Sequence, residues 1–240
     1  VGKARQMLTG RSYGIIHIFY SRLFYVIKFV HNKWSTYWTL KNSIQLEGNS
    51  KVGIHHSTLF NLTNSKIIVR NGSFKVGIDF GYFDGGVYDP RQDTCRIFLV
   101  NSTLEIEGNV SLFPGVVISG INARICIKNG TVINRGSQIV ALKDIEIGEN
   151  CLIAQGVLIR DNDGHKLSTQ ANEEASMGIE KVRIDNHCWL GQRAMILKDV
   201  ILHDNVIVAA GAVVAKSVEA NNLVAGVPAK VIKGNVKWGA

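Results

Sequence analysis

A six-residue rhythm constrains this chain more than any other feature of its sequence. Ile184, Leu190, Ile196, Leu202, Val208 and Val214 recur every six residues, and the positions four further on are Cys188, Ala194, Val200, Val206, Ala212 and Val218. All are apolar, and the second set is small or β-branched. An ordinary sandwich strand alternates with period two and would not hold a strict spacing of six through successive units. A unit with one bulky and one small inward residue is instead a short strand plus a corner. Three such units close a triangular coil of 18 residues. Stacked coils then form a solenoid whose backbone groups pair from coil to coil.

The pattern extends upstream. "IQLEGNSKVG" from Ile44, "IIVRNGSFKVG" from Ile67, "LEIEGNVSLFPG" from Leu104, "ICIKNGTVINRG" from Ile125, "IEIGENCLIAQG" from Ile145, "VRIDNHCWLGQR" from Val182 and "VILHDNVIVAAG" from Val200 share one template. Each runs aliphatic, any, aliphatic, then a polar or glycine turn. The starts are 23, 37, 21, 20, 37 and 18 residues apart, so the two long steps hold insertions. The expected fold is all-β: a solenoid over 44–219 with insertions at about 79–96 and 161–181, and a tail over 220–240. The first insertion is glycine-rich and aromatic; the second contains "LIRDNDGHKL" and "STQANEEASMG". Loops thrown out from a rigid scaffold are where function concentrates.

Composition agrees with a large β core. In 240 residues, 46% are hydrophobic, and Gly 24 against Pro 3 provides many tight bends with few proline stops. Cys95, Cys126, Cys151 and Cys188 lie far apart without CxxC spacing, which fits reduced thiols in a cytosol better than a zinc ribbon or a disulfide framework. Cys151 and Cys188 fall on the small inward position and are read as core residues. The net charge of +8 would attract nucleic acid, anionic lipid or a phosphorylated small molecule, and charge alone does not choose among them. Residues 1–43 precede the first coil. Within them "SYGIIHIFYSRLFYVIKFV" carries His17, Arg22 and Lys28, too many charges for a membrane span, and no cleavage site follows it. It is expected to form one or two N-terminal helices, a cap or a subunit contact, with an interfacial helix at the inner membrane face as the alternative.

The run "IDNHCWLGQRAMILKDVILHDNVIVAAGAVVAKSVEANNLVAGVPAKVIK" resembles the C-terminal half of the maltose and galactoside acetyltransferases, a group that includes capsule and lipopolysaccharide O-acetyltransferases. A histidine loop, a "WLG" turn 24 residues later, "AAGAVV" and "AGVPAKVIK" carry the likeness together. The resemblance implies a left-handed parallel β-helix, a homotrimer, acetyl-CoA as cosubstrate without a metal, and a sugar hydroxyl as acceptor, on a bacterial surface polysaccharide or its precursor. It also implies a cytoplasmic protein.

In that family a loop histidine takes the acceptor's proton, and His165 matches it. A sugar hydroxyl attacks a thioester only if its proton leaves as the bond forms, and imidazole is poised for this near neutral pH. Asp161 and Asp163 flank His165; either holds the imidazole tautomer or closes a turn that shapes the loop. Asn134 matches a family asparagine near the acceptor and acetyl group, and it also suits a coil corner. The resemblance places Trp189 beside the pantetheine and the backbone of Gln192 at the thioester end. It gives Ala210 and Ala215 the small positions that the arm passes, and Lys216, Lys230 and Lys233 the coenzyme phosphates. Such a lysine cluster explains part of the charge without nucleic acid. Two departures stand out: "AKSVEANN" lacks the usual proline after Lys216, and Val227 replaces a common asparagine.

Other functions fit less well. A metal-dependent hydratase on this scaffold needs three converging histidines, and His165, His187 and His203 do not share one hexad position. A nucleotidyltransferase needs a nucleotide-binding domain for which about 40 leading residues leave no room. A sugar N-acetyltransferase would use the same base and cofactor, and a non-enzymatic assembly module would use neither.

Overall fold

The computed structural model describes residues 14–20, 23–29, 43–55, 58–77, 93–169 and 172–239. Three parallel sheets wrap the core as the faces of a left-handed parallel β-helix. The first face stacks Ile44–Glu47, Lys66–Arg70, Thr103–Glu107, Arg124–Ile127, Asp144–Ile147, Val182–Ile184 and Ile201–Leu202, one strand for each of coils 1 to 7. The second face runs from Lys51–Ile54 through Val132–Ile133, Leu152–Ile153, Trp189–Leu190 and Ile207–Val208 to Leu223–Gly226. There Ala229–Lys233 folds back antiparallel. The third face runs from Leu59–Thr63 through Gln138–Ala141, Leu158–Arg160 and Met195–Ile196 to Val213–Val214.

Register follows the repeat. Leu46, Val69, Ile106, Ile127, Ile147, Ile184 and Leu202 stand in one inward column of the first face. Both hexad sets are buried, from Ile184 and Cys188 through Val214 and Val218. Truncating any one of the large members to alanine would cost ~2–5 kcal/mol, because stacked coils leave little room to collapse into the cavity. The corners are satisfied by ladders of their own. At the edge between the third and first faces, Asn64, Asn101 and Asn122 take left-handed φ values of 46°, 48° and 52°. Asn64 donates to Asn101 at 3.3 Å, and Asn101 to Asn122 at 3.1 Å. Asparagine tolerates this conformation, so each side-chain amide bridges to the next coil. Between the first and second faces, Thr131 Oγ1 donates to Gly148 O, Cys151 Sγ to Asp185 O and Cys188 Sγ to His203 O.

The N-terminal expectation is corrected where the chain is described. Gly14–Tyr20 and Leu23–Phe29 form an antiparallel hairpin rather than helices, with Ile16 opposite Ile27 and Phe19 opposite Phe24. Both strands are dominated by β-branched and aromatic residues, which suit a pleated pair better than a helix; the rest of 1–43 lies outside the described residues. No helix among the described residues is long and apolar enough to cross a membrane. The first insertion lies outside the described residues up to position 92. The second forms a hairpin arm, Leu167–Thr169 against Asn172–Ser176.

Candidate active site

His165 stands at the root of this arm, which leaves coil 5 at the edge between the third and first faces. The root is pinched shut by backbone bonds from Glu180 N to Asp161 O at 2.9 Å and from Asp163 N to Met177 O at 3.2 Å. Gly164, immediately before the histidine, has φ +80°, and a Cβ there would lie 2.8 Å from Arg160 Nη2. Glycine gives the left-handed turn without strain and leaves Arg160 free to reach Asn162, whose backbone and side-chain oxygens it bonds at 2.7 and 3.0 Å. His165 itself is exposed.

The two flanking carboxylates hold the root, not the imidazole. Asp161 is fully buried and accepts from the backbone N–H of Leu142, Lys143 and Asp144 at 2.8, 2.7 and 2.9 Å, and from Asn162 Nδ2 at 3.0 Å. Four donors fill a carboxylate's capacity, so Asp161 has nothing left for His165. From coil 5 it takes over, at the corner below, the place of the asparagine ladder of the earlier coils. Asp163 points to Lys198 of coil 6, 2.6 Å away. Of the two roles open to these residues, shaping the loop is the one their bonds serve. The arm's base is thus tied to the coil on either side of its own, and His165 is presented from a braced turn.

The residues expected around the coenzyme divide between two edges. Asn134, Gln192 and Ala210 stand at the edge between the second and third faces, in coils 4, 6 and 7. Asn134 donates through both N and Nδ2 to Ile153 O, at 2.8 and 3.0 Å, so half of its amide shapes the corner. Gln192 Nε2 donates to Gln155 Oε1 at 3.3 Å, and Gly211 N bonds Gln192 O. Gly191 lets coils 6 and 7 close here, since a Cβ would lie 2.6 Å from Ala210 N. Trp189 projects from the second face beside this edge, 39% exposed. Ala215 and Lys216 follow Val213–Val214 and stand instead on the His165 edge, above Lys198. Lys230 and Lys233 lie exposed on the terminal antiparallel strand.

His165 and the Trp189–Gln192 corner are therefore separated by one whole face. A side of six residues at about 3.3 Å each puts the edges up to ~20 Å apart. Over coils 5 to 7 the outside of that face is apolar, with Leu158, Met195 and Val213 in register. From coil 4 onward the outer second face is apolar too, with Val132, Leu152, Trp189, Ile207 and Leu223 in one column. The outer first face is a charged grid. Arg124 meets Glu105 at 3.0 Å and Asp144 at 3.4 Å, Lys128 meets Glu146 at 2.5 Å, and Arg183 meets Asp185 at 2.8 Å. The bond from Lys128 holds the Glu146 carboxyl below its ordinary range.

Glu105, Glu107 and Cys126 bring their ligand atoms within 4.8 Å of one another on this grid. Arg70 and Arg124 already reach Glu105 there, so the cluster is a node of ion pairs. Burial pushes the Cys126 thiol up to about 11. The three histidines weighed for a metal go separate ways. His187 Nδ1 meets Asn205, His203 Nδ1 meets Asp185, and His165 stands on another edge. Lys198 as a brace left no local sign in the sequence, because it acts from 35 residues beyond Asp163.

The family model "Bacterial transferase hexapeptide (six repeats)" matches residues 181–216. The galactoside O-acetyltransferase of Escherichia coli (strain K12) is 33% identical over 144 residues, 60% of this chain and 70% of that protein. The polysialic acid O-acetyltransferase of Escherichia coli O1:K1 / APEC is 29% identical over 53% of this chain, and the match spans 42% of its length. The crystal structure of the polysialic acid O-acetyltransferase OatWY superposes with a TM-score of 0.52 at 29% identity, covering 82% of this chain and 90% of that one.

Proposed function

This chain belongs to the hexapeptide-repeat acyltransferases, and on that premise we propose that it transfers an acetyl group from acetyl-CoA to a hydroxyl of a surface-glycan sugar. The observation that carries this reading is the braced turn holding exposed His165 on one edge, with Trp189, Gln192 and Ala210 on another. The names of the relatives, O-acetyltransferases acting on polysialic acid and galactosides, support the acceptor class.

In the reaction the acceptor oxygen attacks the acetyl carbonyl carbon as His165 takes its proton. Backbone N–H groups hold the tetrahedral oxyanion. The C–S bond then breaks, and the imidazolium returns its proton to the departing thiolate, so free CoA and the sugar ester leave. Asn134 steadies the acetyl group with the part of its amide not committed to Ile153. Because one face separates the base from the coenzyme corner within a chain, the complete site forms between copies. The His165 edge of one, with Ala215 and Lys216, meets the Trp189 edge of the next. The apolar later coils of the second and third faces suit burial in such a homotrimer, and the charged first face suits solvent.

Incubation with labelled acetyl-CoA and a panel of sialylated and galactose-containing glycans tests the reading. Label should enter a glycan as an ester that mild alkali releases. Alkali-stable label on an amino sugar would make the chain an N-acetyltransferase. No transfer, together with no thermal stabilisation by acetyl-CoA, would leave an assembly module.

A further inference from the structure

Residues 234–239 follow the last hairpin and run back along the edge between the first and second faces. Val236 N bonds Asn221 O at 3.0 Å, and two coils further back Trp238 Nε1 donates to His187 O at 2.8 Å. This edge carries a column of left-handed residues: Asn150, His187, Asn205 and Asn221, with φ of 54°, 55°, 61° and 60°. Only His187 of these four brings a ring to the corner. Its Nδ1 lies 2.9 Å from Asn205 Oδ1, which fixes the imidazole and leaves a flat surface. Trp238 lies on that surface, with centroids 4.3 Å apart and planes within 15°. The same indole meets Trp189 at 6.1 Å and 45°, within the range where tilted aromatic pairs attract.

The order of residues around the coil gives this contact a direction. His187 is at the first–second edge, Trp189 on the second face, and Gln192 at the second–third edge. Trp238 therefore backs Trp189 on the flank away from Gln192 and Ala210. A half-exposed tryptophan without such a backing turns freely about its side-chain bonds, and ordering it would then be charged against every ligand that uses it.

We propose that Trp238 is a positioning residue for the acyl-coenzyme arm: seated on His187, it holds the Trp189 indole toward the Gln192–Ala210 edge. This rests on the functional reading above. Trp238 touches no reacting atom, so its effect falls on coenzyme binding rather than on the chemical step.

The test uses the full chain with acetyl-CoA and a competent acceptor. Trp238→Ala should raise KM for acetyl-CoA by about 3- to 10-fold, the range one aromatic pair supports, with kcat within about 2-fold. Trp238→Phe keeps a ring on His187 and should restore most of the difference; it also serves if the alanine variant folds poorly. An unchanged KM in Trp238→Ala would overturn the proposal. So would a loss in kcat and apo melting temperature that Trp238→Phe shares in full, since that is the behaviour of a simple strap over the last coils. If the unsubstituted protein neither transfers acetyl groups nor is stabilised by CoA, the functional reading itself falls and the assignment with it.

Discussion

Lys198 reaches from the corner of coil 6 to the carboxylate of Asp163, 2.6 Å away and two residues before His165. Both side chains are about one-third exposed, so the pair contributes no more than ~1 kcal/mol to stability. Its consequence lies in geometry. Lys198→Ala should lower kcat about 10-fold, as expected when a base loses its near-attack placement, with KM for acetyl-CoA unchanged. Steady-state kinetics beside a melting curve checks this. A lower melting temperature with full kcat would show that the pair serves the fold alone.

Asp161 is a larger structural commitment. Removing its carboxylate strands three backbone N–H groups of the part-buried corner between coils 4 and 5. Asp161→Ala should cost at least ~3 kcal/mol, since each unpaired buried donor forfeits about 1–3. Urea unfolding measures the loss, and a variant as stable as the parent would contradict the assigned role.

A site shared between copies predicts complementation. His165→Ala removes the proposed base from one edge. Ala210→Leu should obstruct the proposed path of the coenzyme arm at the other, where the alanine is exposed and the larger side chain is tolerated by the fold. Each variant should be inactive alone. Refolded together in equal amounts, random trimers should regain about a quarter of parental activity, the chance that an intact edge meets an intact neighbour. No recovery, with mixed trimers demonstrated by native mass spectrometry, would place the whole site within one chain.

The four cysteines are buried. Burial pushes the Cys95 and Cys126 thiols up to about 11, and its bond with Cys151 and burial push the Cys188 thiol up. Thiolate is the reactive form and is scarce at pH 8 for these three; the bond with Cys188 pulls the Cys151 thiol below its ordinary range, so burial alone shields it. Iodoacetamide at that pH should leave the native protein unlabelled by intact mass and add to all four cysteines in denaturant. Rapid labelling of the native protein would contradict the packing.

The fold was legible because the hexad constrains every coil: a residue such as Val208 or Ala212 has one permitted neighbour above and one below. His165 was legible through the motifs around it, since an exposed imidazole has no spacing rule of its own. The partners of Asp161 and Asp163 were not legible. Their bonds run to coils 4 and 6, and distance along the chain carries no record of which corner a carboxylate will face. Trp238 was silent for the same reason, lying 51 residues from the carbonyl it bonds. The N-terminal hairpin misled for a different one. Its apolar run, "GIIHIFY" then "LFYVIKF", carries little periodicity, and length alone favoured helix.

The account depends most on His165, and one comparison tests it directly: turnover of acetyl-CoA with acceptor by the parent and by His165→Ala, beside the CoA dissociation constant and the assembly state of each. The base assignment predicts a fall in kcat of at least ~100-fold, the lower range for general-base catalysis, with coenzyme affinity and assembly mass unchanged. Turnover within a few-fold of the parent would contradict it.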